Sequence, residues 1–281
     1  MLRTRDIRRR FGRAAGHFDE GAFVHAVTRE GIVSRLAPVL VDAAAILDLG
    51  SATGATGRLL RKRFRGAHVV SLDLSHAMLA RARQRKPWFA KTSFVQADAN
   101  RLPFADGSFD LVIANQLLPW IPDPQEVFTD VARVLRTGGC FAFATMGPGS
   151  LREVDQAWRA VDDTPHVHPF ADMHDIGDGL VRAGLRDPVL DVDRLGISYE
   201  NTGKLFDDLA RAGARNALTE RRKSLTGKGR FQAMTELLVS PGDGGRVRLE
   251  LELVYGHCWG AGPRQDHSIA KIDANRIPIR R

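Results

Sequence analysis

The sequence predicts an α/β fold, a mostly parallel sheet of seven strands with helices on both faces. Three observations predict it. The apolar run Ile46 to Leu49, interrupted by Asp48, empties into the turn Gly50-Ser51-Ala52-Thr53-Gly54, and in open α/β sheets the loop after such a strand holds the ligand. Strand-like apolar runs then alternate with helical segments over residues 46–145, the pattern of a parallel sheet covered on both faces. Those runs carry Asp48, Asp73, Asp98 and Asn115 at or near their ends, and the carboxyl ends of parallel strands line one crevice.

The elements follow in order. Residues 5–40 read as helical, with Phe11, Phe18, Phe23, Val27, Ile32, Val33, Leu36 and Leu40 at roughly helical spacing,. After the first strand a helix opens at Arg58-Leu59-Leu60, and Val69 to Asp73 forms the second strand. Ser75 is an N-cap for a helix whose apolar face is Met78, Leu79 and Ala82,. Thr92 to Ala97 and Phe109 to Ala114 are the third and fourth strands. Asp123-Pro124 starts a helix with Val127, Phe128, Val131, Val134 and Leu135 buried, and Gly138-Gly139 ends it,. Cys140 to Thr145 is the fifth strand. Beyond it, Ser150-x-x-Glu153 reads as a capping box opening a helix with Leu151, Val154, Trp158 and Val161 on one face,. Asp172 opens another helix, closed by Gly184, and Pro188 to Val192 is the sixth strand. Helices over Thr202 to Ala212 and Phe231 to Leu238 flank a basic loop, Arg221 to Lys228. Val247 to Tyr255 alternates in polarity, as suits an antiparallel edge strand,.

Composition bounds the function. The chain has 281 residues, 43% hydrophobic and 26% charged, which is one large domain or one domain with a sizeable insertion. Cys140 and Cys258 lie in apolar strand-like runs without Cys-x-x-Cys spacing, so neither a disulfide framework nor zinc is expected, and the setting reads as cytoplasmic. No run approaches the ~18 apolar residues of a membrane span, and no signal-peptide core opens the chain. The arginines at 3, 5, 8, 9, 10 and 13 leave a transit peptide open. The net charge of +8 calls for an anionic partner or for a solvated face,. No nucleic-acid module is recognisable and aromatics are only 7%, so no nucleic acid is expected and an acidic protein is at least as good a reading of the charge.

The glycine loop narrows the ligand. Ala52 stands where a dinucleotide fingerprint needs its second glycine, and no lysine follows to serve a phosphate,. The spacing from Asp48, with an acid at Asp73 placed 25 positions later, resembles the first motif of class I S-adenosylmethionine-dependent methyltransferases. That resemblance implies S-adenosylmethionine as cofactor, held by Asp48, Gly50, Ser51, Ala52, Thr53, Gly54, Asp73, Leu74, Asp98, Ala99 and Asn115. Asp73 would accept the ribose hydroxyls. His166, His168 and His174 lack the partner spacing of a metal site, and Ser150, Ser198 and Ser224 lack a nucleophile elbow,. Trp120 and Trp158 are candidates to wall a dry pocket. Methyl transfer to an anion needs alignment and water exclusion more than a general base, so an absent acid/base constellation is compatible with it.

Over nearly its whole length the chain resembles the malonyl-acyl-carrier-protein O-methyltransferases of biotin synthesis. The resemblance rests on Phe11-Gly12-Arg13-Ala14-Ala15-Gly16-His17-Phe18, Asp48 to Gly54, Leu72-Asp73-Leu74-Ser75 and Leu102-Pro103-Phe104. Its most specific part is Gly149-Ser150-Leu151-Arg152-Glu153, with Gln156-Ala157-Trp158 and Asp163-Thr164-Pro165-His166. Gly213-Ala214 and Leu225-Thr226-Gly227 echo the family's lid. The chain departs from the family at Phe18, where tyrosine is usual, at Ala52, usually glycine, and at Pro119, usually glutamine. The resemblance implies a class I methyltransferase fold that esterifies the free carboxylate of a malonyl thioester on acyl carrier protein. On this reading residues 1–40 are a helical lid or cap and 41–147 the cofactor-binding core. Residues 148–245 are lid helices with the sixth strand, 246–259 the last strand and 260–281 a basic tail. Pocket candidates are Phe18, Trp120, Trp158 and Arg152, and an arginine from the lid, Arg152 or one of residues 211–222, is expected to meet the acceptor carboxylate. Two other readings stay open: a methyltransferase on another small molecule such as a quinone precursor, and a binding or assembly factor without catalysis.

Overall fold

A computed structural model describes residues 2–39, 41–222, 224, 226–239 and 244–261. Leu40, Lys223, Leu225 and the basic tail beyond Ala261, all named above, lie outside the described residues. The chain runs α1 (Thr4–Ala14), α2 (Phe18–Gly21), α3 (Phe23–Leu36), β1 (Ala45–Leu49), α4 (Ala55–Arg63), β2 (His68–Asp73), α5 (His76–Gln84), β3 (Thr92–Gln96) and β4 (Phe109–Asn115). A 3₁₀ turn, Leu118–Trp120, leads to α6 (Pro124–Val134), β5 (Leu135–Met146), α7 (Arg152–Arg159), α8 (Met173–Arg182), β6 (Arg186–Tyr199), α9 (Thr202–Arg211), α10 (Lys228–Leu238) and β7 (Val247–Trp259).

The seven strands lie in the order β3-β2-β1-β4-β5-β7-β6. The first five pair in parallel, and β7 is antiparallel to both β5 and β6. From β1 the chain builds outward through β2 and β3, then returns to place β4 on the other side, so the crevice falls between β1 and β4,. Alternation along the strands feeds two cores. Leu47, Leu49, Val112 and Phe141 pack with Val127, Phe128 and Val131 of α6 on one face. Ile46, Leu111, Ile113 and Ala142 pack with Ile32 and Leu36 of α3 and Leu60 of α4 on the other,. A third core joins the late helices to β7, with Val154, Trp158, Leu205 and Met234 packed against Val247 and Leu249.

The structure differs from the sequence reading in five places. The N-terminal stretch is three helices rather than one, because the backbone leaves the helical region at His17 and Ala22; a single helix at 1.5 Å per residue would overshoot the sheet that these residues cover. α6 ends at Val134, and Gly138 and Gly139 belong to the start of β5, where they exchange backbone hydrogen bonds with Gly260. Ser150 and Glu153 form no capping box. Ser150 Oγ instead donates to the Glu252 carbonyl and accepts from the Glu252 N–H, while Glu153 Oε1 accepts from the Glu250 N–H, so both side chains tie the start of α7 to β7. The sixth strand extends over Arg186–Tyr199. It also takes the edge, leaving β7 inside the sheet; the polar alternation of Arg248, Glu250 and Glu252 reflects one open face at the start of β7, not an open edge.

Cys140 and Cys258 are free and buried, in the cores on opposite faces of the sheet. Burial pushes the Cys140 thiol up to about 12. Among the described residues no helix is long and apolar enough to cross a membrane.

The placement of α3 matters most for the site. Gly31 lies flat on the Tyr255 ring, where a Cβ would come within 2.5 Å of ring atoms. Arg35, one turn on, covers the same ring at 3.7 Å and pairs with Asp191 at 2.9 Å. Gly31→Ala should therefore lift α3 from the sheet and cost about 1–3 kcal/mol. Thermal unfolding checks this against Gly196→Ala, whose added methyl meets nothing within 4 Å; equal melting temperatures for the two variants would contradict it.

Candidate active site

The loop after β1 is held from beneath by two carboxylates. Gly50 and Ser51 N–H groups both donate to the Leu72 carbonyl at 2.9 Å, which ties the loop to the end of β2. Asp73 Oδ2 accepts from the Ala52 N–H at 2.9 Å and Oδ1 from the Ser75 N–H at 2.8 Å. Asp48 Oδ2 accepts from the Gly57 N–H at 2.9 Å, in the first turn of α4. Gly50 and Gly54 have φ of 72° and 74°, the region that favours glycine,. Ala52 has φ of 45°, at a cost on the order of 1 kcal/mol; its methyl packs against the cluster around Phe18, which offsets part of that cost.

Burial sets the electrostatics. It pushes Asp48 up to about 7, against the Gly57 hydrogen bond and with help from the Asp73 charge. It pushes Asp73 up to about 6, opposed by the Ser75 and Ala52 N–H groups. His25 on α3 is lowered to about 4 by burial first and by Arg29 second. Asp48 Oδ1, Ser51 Oγ, His25 Nδ1 and Gln116 Nε2 are buried without a hydrogen-bond partner.

Two adjoining spaces open above the loop. The first is a cleft lined by Asp73, Leu74, Asp98 and Ala99 and roofed by Phe11 and Phe18. Trp120 closes one side, its ring edge-on to Phe11 at 4.9 Å and to His168 at 5.0 Å. The second is a polar compartment lined by His25, Arg29, Ser51, Thr56 and Arg58. Phe18, His25, Gly50, Ala52 and Asn115 line both.

The sequence-derived residues divide accordingly. Gly50, Ala52, Asp73, Leu74, Asp98, Ala99 and Asn115 line the cleft, and Ser51 and Thr53 the compartment. Asp48 sits beneath the loop, and Gly54 caps α4, where a Cβ would come 3.0 Å from that of Ala82. The Asn115 amide is already engaged, accepting from Thr28 Oγ1 at 2.7 Å and donating to the His25 carbonyl at 2.9 Å, which clamps α3 to β4. Phe18 and Trp120 reach the cleft. Trp158 does not: it stacks on His166 at 3.8 Å in the core of the late helices. Arg152 is exposed, its Nε 3.5 Å from the Pro148 carbonyl. No arginine of residues 211–222 lines either space; Arg211 pairs with Asp207 and Glu20, and Arg222 with Asp162. Sequence reasoning missed His25 and Arg29, whose one signal is a spacing of four, which puts both on one face of α3. Among the described residues no His, Cys, Asp or Glu cluster would hold a metal ion.

Residues 47–143 match the family of methyltransferase domains. A malonyl-[acyl-carrier protein] O-methyltransferase of Halorhodospira halophila is 38% identical over 99% of this chain and 96% of its own length. Another from Gallionella capsiferriformans is 36% identical over 100% and 99%. The chain belongs to the malonyl-[acyl-carrier protein] O-methyltransferases. The YcgJ protein of Bacillus subtilis has the same fold, with a TM-score of 0.59 over 85% of this chain and 98% of that one at 16% identity. As a member of this family the protein is a methyltransferase dependent on S-adenosylmethionine. The residues present fit that cofactor: apolar walls in the cleft, an acid at Asp73 and unpartnered polar atoms at Asp48 and Ser51.

A carboxyl pKa raised by folding means the folded state holds the proton more tightly than the unfolded chain does. The stability so contributed is full below about pH 4, the ordinary carboxyl range, and is lost as pH rises through about 7 for Asp48,. Asp48→Asn removes this loss, so its melting temperature relative to the unmodified protein should rise by several degrees between pH 5 and pH 8. A thermal-shift series over pH checks this, and a difference that stays constant would contradict it.

Proposed function

We propose that the protein esterifies the free carboxylate of a malonyl thioester on acyl carrier protein, giving the methyl ester used early in biotin synthesis. The observation that carries this reading is the near-full-length similarity to malonyl-[acyl-carrier protein] O-methyltransferases, which includes the helices after β5. The fold alone would not specify an acceptor. A cytoplasmic setting is supported by two free, buried thiols,.

S-adenosylmethionine supplies an electrophilic methyl group on a sulfonium. The chain's part is to hold, align and dry. Asp73 keeps a free lone pair on each oxygen after its two loop hydrogen bonds, available to ribose hydroxyls,. Leu74, Ala99 and Leu117 offer apolar contact for a purine. Phe11, Phe18 and Trp120 exclude water from the cleft, which strengthens every charge interaction inside it,. A carboxylate acceptor is already ionised near neutrality and needs no general base. α1 turns Ile7 toward the cleft and exposes Arg5, Arg8, Arg9 and Arg13, a basic face beside the entrance that suits an acidic carrier protein.

Labelled methyl transfer to malonyl carrier protein, against a panel that includes phenolic quinone precursors, tests this reading; transfer to a panel member alone, or to nothing, would overturn it. Two further outcomes follow. Asp73→Ala should weaken cofactor binding at least about tenfold by calorimetry, and unchanged binding in a folded variant would contradict that role. Turnover of carrier-bound substrate should fall between about 50 and 500 mM salt while cofactor affinity holds; equal salt dependence would return the α1 arginines to a solvated face.

A further inference from the structure

The polar compartment holds more positive charge than its acids answer. Arg29, half-buried on α3, lines it and makes no hydrogen bond or ion pair among the described residues. Arg58, half-buried on α4, lines it too and spends one donor on the Thr53 carbonyl at 2.7 Å. Each lies in the field of the other, and Arg29 lowers the pKa of Arg58 after burial does. Asp19 offers little relief: its Oδ1 accepts from Thr53 Oγ1 at 2.6 Å and its Oδ2 pairs with Arg85. The other acid in their field, Asp48, lies beneath the loop and outside the compartment's lining, with one oxygen taken by Gly57. Two guanidinium groups near one another without an anion between them cost stability until an anion arrives.

The compartment opens to the cleft along Gly50, Ala52 and Asn115. It presents an unpaired cationic fork at Arg29 and a buried hydroxyl without a partner at Ser51. Complementary to that set is a carboxylate lying beside the Gly50–Ala52 turn. The amino-acid end of the cofactor carries such a carboxylate, and it falls on this side of the turn when the nucleoside end lies beside Asp73. We propose that Arg29 binds the α-carboxylate of the cofactor's amino-acid end, with Arg58 as a second, more distant charge. This rests on the cofactor's nucleoside end occupying the cleft beside Asp73. Arg29 so reads the one part of the cofactor that decarboxylation removes.

The test is a cycle between the side chain and the ligand group. Calorimetry measures S-adenosylhomocysteine and its decarboxylated analogue on the full-length protein, unmodified and as Arg29→Met, with Arg29→Lys as the conservative variant. The unmodified protein should prefer the carboxylate-bearing ligand at least about tenfold. Arg29→Met should abolish that preference while binding the decarboxylated analogue within about twofold of the unmodified protein, and Arg29→Lys should restore part of it. Equal loss of both ligands in Arg29→Met would assign Arg29 a structural role and overturn the proposal. So would intact homocysteine-ligand binding with a raised KM for malonyl carrier protein, which would give Arg29 to the acceptor. Should Arg29→Met not fold, equal affinity of the two ligands for the unmodified protein is sufficient to overturn it. A protein that binds S-adenosylhomocysteine yet fails to methylate malonyl carrier protein would refute the acceptor reading and leave the Arg29 assignment standing.

Discussion

The hydrogen bonds from the Ala52 and Gly57 N–H groups to Asp73 and Asp48 hold the turn on which both spaces depend. They bind three elements at one point: the end of β1, the end of β2 and the first turn of α4. The raised pKa of both acids shows that burial outweighs these hydrogen bonds in the balance between charged and neutral carboxyl,. That cost is carried beside the two spaces above the loop. Glycine at 57 suits this packing, since a Cβ there would press on both Asp48 Oδ2 and Val69 at 3.1 Å.

Over this turn lies a roof with two supports. α3 is clamped to the sheet by Thr28 and Asn115 on one side and by Gly31 on Tyr255 on the other. α2 is docked on α9, close enough that a Cβ on Gly21 would come 2.5 Å from the Asp208 carbonyl, and Glu20 pairs with Arg211. α1 contributes Phe11, whose ring meets both Phe18 and Trp120. The N-terminal helices and the helices after β5 therefore form one cover through side-chain contacts between segments far apart in sequence.

The three departures from the family acquire physical accounts. Ala52 carries backbone strain and gains an apolar contact beneath Phe18. Phe18 keeps the ring and its edge-on contact with His25 at 5.1 Å while giving up a phenol. Pro119 falls in the 3₁₀ turn, where its fixed φ suits the first helical positions and no helical hydrogen bond is lost,.

Local pattern determined a great deal. The alternation of strand and helix, the caps at Ser75, Asp123 and Asp172, and the acids at 48 and 73 were all legible from neighbours in sequence, because each depends on periodicity or on a side chain meeting its own backbone. What depends on distant partners was not. Ser150 and Glu153 satisfy a capping pattern yet bind β7, and Trp120 and Trp158 are the same residue type while only one faces the cleft. Arg29 reads as an ordinary helix-surface arginine until the clamp of α3 on β4 sets it on the compartment wall beside Arg58. A single chain states which groups it carries, but their partners and burial arise from packing between segments distant in sequence, and those settle which charges remain for a ligand.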